Sequence, residues 1–306
     1  MKQELIVSLD NSGTRLDFFL SKNVESISRT KINELIKKGN VLVDGKVKKP
    51  SYILKDNQTV CLSIVEDKSK DFLKPFKLDI PIIFEDDDIL IINKPHNLVV
   101  HPPQPGINTT LVNALIYMKK ELSDLTPLRP GVVHRLDKET SGVMVLAKNN
   151  SAYLNIVSQF KARKVKKEYL AVCWGRVIKE KIVVDLPLSR DTKNRLKMKV
   201  SFTKSKNAYT EIEVLKRFDD ATFLKIKPLT GRMHQIRVHL KFLGYPIVGD
   251  KKYGIKDSFS DLLLHAHKLG IYHPSKGYFI EFTAPIPVRF NDFMKNKHTF
   301  SETEKS

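Results

Sequence analysis

One run of the chain concentrates the groups that could carry a reaction. In HRLDKETSG, residues 134–142, a single aspartate, Asp137, stands beside Arg135 and Lys138, with His134 upstream and Glu139 downstream. Cations within a few ångströms favour the charged form of a carboxylate. Such an aspartate has three uses: proton acceptor, nucleophile, or half of a structural ion pair. Residue types and spacing leave all three open. Apolar residues flank the run, Val132 and Val133 before it and VMVLA from Val143 after it. Both flanks are expected to be strands that hold the polar loop rigid.

The other polar clusters offer less. His265 and His267 would share a face on a strand, but no cysteine or carboxylate stands at ligand spacing beside them, so no metal is expected. His234 and His239 lie five apart on an expected helix and do not share a face well. The acidic run EDDD at 85–88 reads as a solvated turn rather than a magnesium site. Neither a dinucleotide-binding glycine fingerprint nor a P-loop occurs, which argues against a nucleotide cofactor.

These residues need a scaffold, and composition allows one. Of 306 residues, 41% are hydrophobic, enough for a sizeable core and too many for wholesale disorder. Past residue 80, neighbouring strands joined by tight turns alternate with helices. YTEIEVLKRFDDATFLKIKPL reads as two strands around Asp219-Asp220, and GIYHPSKGYFIEFTAP as a hairpin. TLVNALIYMKKEL and SAYLNIVSQFKAR read as helices, and GRMHQIRVHLKFLG as a helix between Gly231 and Gly244. The fold class is α+β: a mainly antiparallel mixed sheet with flanking helices over 80–295, with no internal repeat. A small α/β domain precedes it over 12–65, a charged linker spans 66–79, and a flexible tail covers 296–306.

The small domain is a compact reading in itself. Leu16, Phe19 and Leu20 share one helical face. Ser28 is a candidate N-cap for RTKINELIKKG, with Ile32, Leu35 and Ile36 inward, and NVLVDGKVKK reads as a hairpin turning at Asp44-Gly45. Arg29, Lys31, Lys37 and Lys38 decorate the second helix and suit a phosphate backbone.

Charge names the class of partner. Lys and Arg number 53 against 34 Asp and Glu, a formal net charge of +19. Such a protein attracts polyanions, nucleic acid first among them. Residues 161–206 hold 15 Lys and Arg against 4 Asp and Glu, interrupted by aromatic and apolar residues. That stretch reads as folded strands presenting a cationic face, with Lys164, Lys166 and Lys167 as candidate RNA contacts. Cys61 and Cys173 lie in apolar runs and read as buried thiols of a reducing compartment. The N-terminus lacks a signal-peptide pattern, and no apolar run reaches the ~18 residues that span a bilayer. A cytoplasmic protein without membrane association is expected.

Two resemblances sharpen this reading. RLDFFL, SRTKINELIKKGNVLVDGK and KPSYILKDNQTV together resemble the small RNA-binding domain first known from a ribosomal small-subunit protein. HRLDKETSG resembles the signature of the RluA/RluD-type RNA pseudouridine synthases. In family order, INKPHNLVVHP resembles their first motif, RKVKKEYLAV with Tyr169 their second, PLTGRMHQIRVHL with Arg232 their third, and LLHAHKLGIYHP their closing segment. The resemblance runs from about residue 12 to 290.

It implies a cofactor-free isomerisation of uridine to pseudouridine in RNA, on a base flipped out of its stack. Asp137 would be the catalytic carboxylate at the sugar. Tyr169 would stack on the uracil and help move a proton, and Arg232 would pair with Asp137 and orient it. Arg135 would fill the gap left by the base, Leu264 would wall the pocket, and His134 and Thr140 would line it. The implied substrate is large-subunit ribosomal RNA, with transfer RNA as the runner-up, and the implied enzyme is a monomer. Two readings of other classes stand beside this one: a non-catalytic RNA-binding assembly factor, and a metal-dependent nuclease.

Overall fold

A computed structural model describes residues 2–24, 29–63, 73–103, 107–255, 259, 261–295 and 297. The chain divides into two units, Met1–Asp71 and Phe72–Ser306. The candidate N-cap Ser28, the first part of the linker (66–72) and the end of the tail (298–306) lie outside the described residues.

In the first unit, β1 (Lys2–Ile6) is followed by α1 (Leu16–Asn23), α2 (Arg29–Lys37), β2 (Val41–Val43), β3 (Lys46–Val47) and β4 (Thr59–Ser63). Leu16, Phe19 and Leu20 of α1 and Ile32, Leu35 and Ile36 of α2 are buried, as helical spacing demands. They pack with Val41, Val43, Val60 and Leu62 into one core. The β2–β3 turn is Asp44-Gly45, with φ of 48° and 72°. A two-residue hairpin of right-handed twist needs positive φ at both positions, which a DG pair supplies. β1 pairs antiparallel with β4, so the unit begins upstream of residue 12.

The second unit runs β5 (Ile82–Glu85), β6 (Ile89–Lys94), α3 (Leu111–Tyr117), β7 (Ser141–Ala147), α4 (Asn150–Lys161) and β8 (Lys166–Trp174). It continues with β9 (Lys181–Asp185), β10 (Leu188–Arg190), β11 (Met198–Val200), β12 (Tyr209–Arg217), β13 (Ala221–Pro228), α5 (Gln235–Phe242), β14 (Leu264–Tyr272), β15 (Phe279–Thr283) and α6 (Val288–Lys295). The large sheet is ordered β5-β6-β7-β14-β8-β13-β12-β9, with β15 beside β14; β10 and β11 form a separate ribbon. Its β7–β14 pairing is parallel and its other strand pairings are antiparallel. Residues 73–79 dock on α3, where Phe76 N–H donates to Asn113 O and the Asn113 amide to Lys74 O. Among the described residues, no helix is long and apolar enough to cross a membrane. Cys173 is buried and Cys61 only half-buried, and neither is in a disulfide.

Two cores support this sheet. One gathers β6, β7, α3 and α4; the other gathers β8, β12, β13, α5 and α6. Tyr169 packs against both, so it marks the seam between them.

The flanks of the 134–142 run differ from expectation. The downstream flank is β7, buried throughout. The upstream flank is not a strand: Val132 makes one isolated bridge, to Leu146. Gly131 sits at φ 66°, and the chain turns there instead of extending along β7. What pins the upstream side is His134, whose Nε2 accepts the Val145 N–H of β7 at 3.1 Å. The ring thus stands in for a strand partner.

Ser141 and Gly142 open β7 opposite His265 and Ala266 of β14. At Gly142, φ is 121°, and an added Cβ would collide with the Ala266 carbonyl oxygen and amide nitrogen. Gly142→Ala is therefore expected to cost more than about 3 kcal/mol, because backbone cannot swing aside as a side chain can. Thermal unfolding of the purified variant measures it; wild-type stability would mean β7 and β14 do not meet this way.

Candidate active site

Asp137 lies in the loop just before β7, where the Thr140 N–H donates back to the Asp137 carbonyl at 3.1 Å. Its side chain is 18% exposed and faces the first turn of α5. There Arg237 Nη1 and His234 Nε2 each stand 3.8 Å from the same oxygen, Asp137 Oδ2. Residues three apart at a helix start share a face, which is why these two meet one carboxylate.

Arg237 is the fixed point. Its side chain is 2% exposed, and Nε and Nη2 bind the two oxygens of buried Asp250 at 2.8 and 2.7 Å. Nη1 also reaches Glu139 at 3.3 Å. Burial alone would lower the Arg237 pKa, but the hydrogen bond and charge of Asp250, with Asp137 and Glu139 behind, leave it raised. A planar fork held on one side by Asp250 presents its remaining edge rigidly to Asp137.

The ion pair to Asp137 expected of Arg232 is made by Arg237 instead. Arg232 precedes α5, and its Nε donates to Asn207 O at 3.0 Å; it lines the same cavity without an ion pair to Asp137. The motif PLTGRMHQIRVHL contains both arginines, but only helical phase distinguishes them. Arg237 also sits among buried Ile236, Val238 and Leu240, where an arginine must be paired.

A cavity of about 730 Å³ opens at Asp137. Tyr169 and Lys167, two apart on β8, point into it from one face of the strand, and Leu264 at the start of β14 adds an apolar wall. Burial raises the Tyr169 pKa, and the charge of Asp137 adds to that, so the phenol keeps its proton. Arg135 is exposed and Thr140 is buried, and both line the cavity. His134 stacks on Phe160 at 4.8 Å, and burial lowers its pKa to about 3, so the ring is neutral. Asp137, Tyr169, Arg135, Leu264, His134, Thr140 and Arg232 thus all line one cavity.

Lys94 braces the loop from below. It is 1% exposed, and its ammonium donates to Pro95 O, Leu98 O and Lys138 O at 2.8, 2.8 and 3.2 Å. Motif and spacing do not single this residue out, although a lysine ending an apolar strand is a signal of a buried, partnered cation.

The expected RNA contacts separate. Lys164 and Lys166 are exposed, Lys166 lying 4.9 Å over the Phe279 ring. Lys167 instead turns inward, donates to Thr230 O at 3.1 Å, and is lowered by burial to about 8. Strand alternation alone assigns the two lysines to opposite faces. Lys37 ends α2 and Lys38 follows it, both exposed, with Lys38 paired with Glu34 at 2.7 Å; the side chains of Arg29 and Lys31 lie outside the described residues. His265 Nδ1 is hydrogen-bonded to Ser141 Oγ at 2.9 Å, and His267 Nδ1 donates to Ala284 O. In the EDDD run, Glu85 pairs with Lys120 and Lys148, and Asp86 with His273.

The pocket is centred on one carboxylate and walled by a tyrosine and a leucine. The sequence profile of the RNA pseudouridylate synthase family matches residues 88–242, which supply the Asp137 loop, Tyr169 and α5. The S4 domain profile matches residues 14–60. The chain belongs to the RNA pseudouridylate synthase family, isomerases that convert uridine to pseudouridine in RNA. It is 38% identical to an uncharacterized RNA pseudouridine synthase, YlyB, of Bacillus subtilis, over 96% of this chain and 97% of that one. It is 36% identical to the ribosomal large subunit pseudouridine synthase D of Borreliella burgdorferi, over 99% of this chain and 94% of that one. The solved structure of human RNA pseudouridylate synthase domain containing 1 matches with a TM-score of 0.61 and 27% identity, over 74% and 91% of the two chains.

Proposed function

We propose that this protein isomerises uridines of large-subunit ribosomal RNA, with Asp137 as the catalytic carboxylate. The observation that carries the reading is one oxygen of Asp137 gripped from α5 while the carboxylate borders a cavity walled by Tyr169 and Leu264. A uridine flipped into that space has its ribose at Asp137 and its ring against the phenol. The bond from ring nitrogen to ribose breaks, the uracil turns, and a ring carbon rejoins the ribose; that carbon then gives up its hydrogen, and the freed ring nitrogen takes up a proton. Reactant and product are isomers, so the atoms and electrons balance without a co-reactant. Arg237 orients the carboxylate and balances its charge. Arg135, exposed where it lines the cavity, fills the stack vacated by the base. We read the enzyme as a monomer, and Cys61 and Cys173, neither of them in a disulfide, suit the cytoplasm.

The substrate class is supported by relatives in Borreliella burgdorferi, Neisseria meningitidis and Xanthomonas campestris, each a ribosomal large subunit pseudouridine synthase D. Mapping pseudouridines in cellular RNA with and without this gene tests it. Sites that vanish from large-subunit ribosomal RNA are expected; sites lost only from transfer RNA would reassign the substrate. The exposed lysines predict a further result. Log K for RNA should fall linearly with log salt, by about 0.7 per phosphate neutralised on single strands. Filter-binding titrations across salt concentrations check it, and a flat response would remove the proposed phosphate path.

A further inference from the structure

His234 is built into the site, yet the reaction drawn above gives it no part. It is the residue before α5, at φ 55° and ψ 19°, left-handed backbone that a side chain bearing a Cβ enters at a cost. That conformation buries the imidazole and points it two ways. Nε2 faces Asp137 Oδ2 at 3.8 Å, and Nδ1 lies 2.7 Å from the Tyr253 hydroxyl. The Tyr253 oxygen is in turn the acceptor for the Met198 N–H of β11, also at 2.7 Å.

The carboxylate fixes the ring. A lone pair on Nε2 would face the negative charge of Asp137, so Nε2 carries the hydrogen. Nδ1 then carries the lone pair and accepts the Tyr253 proton. The groups around the ring are Asp137 and Glu139 on the loop, Arg237 on α5, and Lys252 and Tyr253 beyond α5. Burial outweighs the two acids and holds the imidazole below its ordinary pKa, so it serves as a neutral donor. Oδ2 is the Asp137 oxygen nearest to both groups, and among the described residues Oδ1 accepts no side-chain or backbone hydrogen bond.

We infer that His234, oriented by Tyr253, is a positioning residue: its Nε2–H and Arg237 hold Oδ2 so that Oδ1 is the oxygen presented to the ribose. The inference rests on Asp137 being the catalytic carboxylate. A separation of 3.8 Å is loose for a hydrogen bond in the free protein and closes when substrate seats Asp137. Tyr253 then links the carboxylate to β11, so the ribbon and the reacting oxygen share one brace.

The experiment compares His234→Leu with His234→Gln, two side chains of similar size and backbone preference, of which only the second offers an N–H. Single-turnover rate and RNA Kd are measured for each, for Tyr253→Phe, for the Leu/Phe double variant, and for Asp137→Asn. The Leu variant should react roughly ten- to a hundredfold slower, on the scale of losing one aligned donor, with Kd within about twofold. The Gln variant should recover part of that rate, and Tyr253→Phe should add nothing in the Leu background. Equal rates for Leu and Gln, additive effects of the Leu and Phe changes, or a loss confined to Kd would each overturn the assignment. A fully active Asp137→Asn would instead overturn the reading beneath it, which the other variants leave untouched.

Discussion

Asp137→Asn is expected to bind RNA with wild-type affinity and to make no pseudouridine. The substitution keeps the size of the side chain and removes its charge, basicity and nucleophilicity. The loop around it is pinned independently, by Lys94 under Lys138 O and by His134 on the Val145 N–H, so the fold persists. Phosphate contacts position an RNA without taking part in base chemistry, and the exposed Lys164 and Lys166 lie outside the cavity. The loss of rate should exceed about 10³-fold, since an amide replaces neither a general base nor a nucleophile. Pseudouridine yield on purified precursor RNA, beside an equilibrium binding curve, reads both quantities. Wild-type yield would reduce Asp137 to a structural ion pair. Normal cellular function of an inactive variant would favour the non-catalytic assembly factor.

Arg237→Met should damage both stability and chemistry, whereas Arg232→Met should damage neither severely. Removing Arg237 strands Asp250, whose side chain is 0% exposed, without its bidentate partner. An uncompensated buried charge costs about 3–5 kcal/mol. For a domain of this size that lowers Tm by roughly 6–20 °C. Below the lowered Tm, the remaining folded enzyme should still turn over slowly, because Asp137 has lost the charge that faces it. Arg232 contacts a backbone carbonyl at the cavity edge, so its loss should appear in RNA Kd. Calorimetry and single-turnover rates on both variants distinguish them. If Arg232→Met lost the chemistry and Arg237→Met kept it, the geometry of α5 described above would be wrong.

Much of this site is legible as motif and little of it as geometry. HRLDKETSG, Tyr169 and Leu264 converge as their resemblance implies, because β7, β8 and β14 are adjacent strands whose alternation sends these side chains to one side. Helical spacing foretells the α1 and α2 cores, and the DG pair foretells its turn. The choice between Arg232 and Arg237 is not legible, because it depends on where α5 starts, and helix starts are the softest part of a periodicity argument. Lys167 turns inward against expectation for a related reason: a charge run reads as a surface until strand phase splits it. His234, Tyr253 and Asp250 act through contacts distant in sequence, and no spacing announces such pairings.

The register of β7 against β14 sets the order in which the protein can acquire its activity. Ser141 and His265 are 124 positions apart, yet their side chains bond and their strands pair in parallel. Closing so long a loop costs entropy before any contact rewards it, and parallel pairing of this kind forms slowly. During synthesis the Asp137 loop leaves the ribosome well before β14, the strand that carries Leu264. A growing chain therefore exposes its RNA-gripping N-terminal unit while its reaction centre is still unbuilt. Catalytic competence arrives only near the end of translation, once the sheet has zipped across its middle.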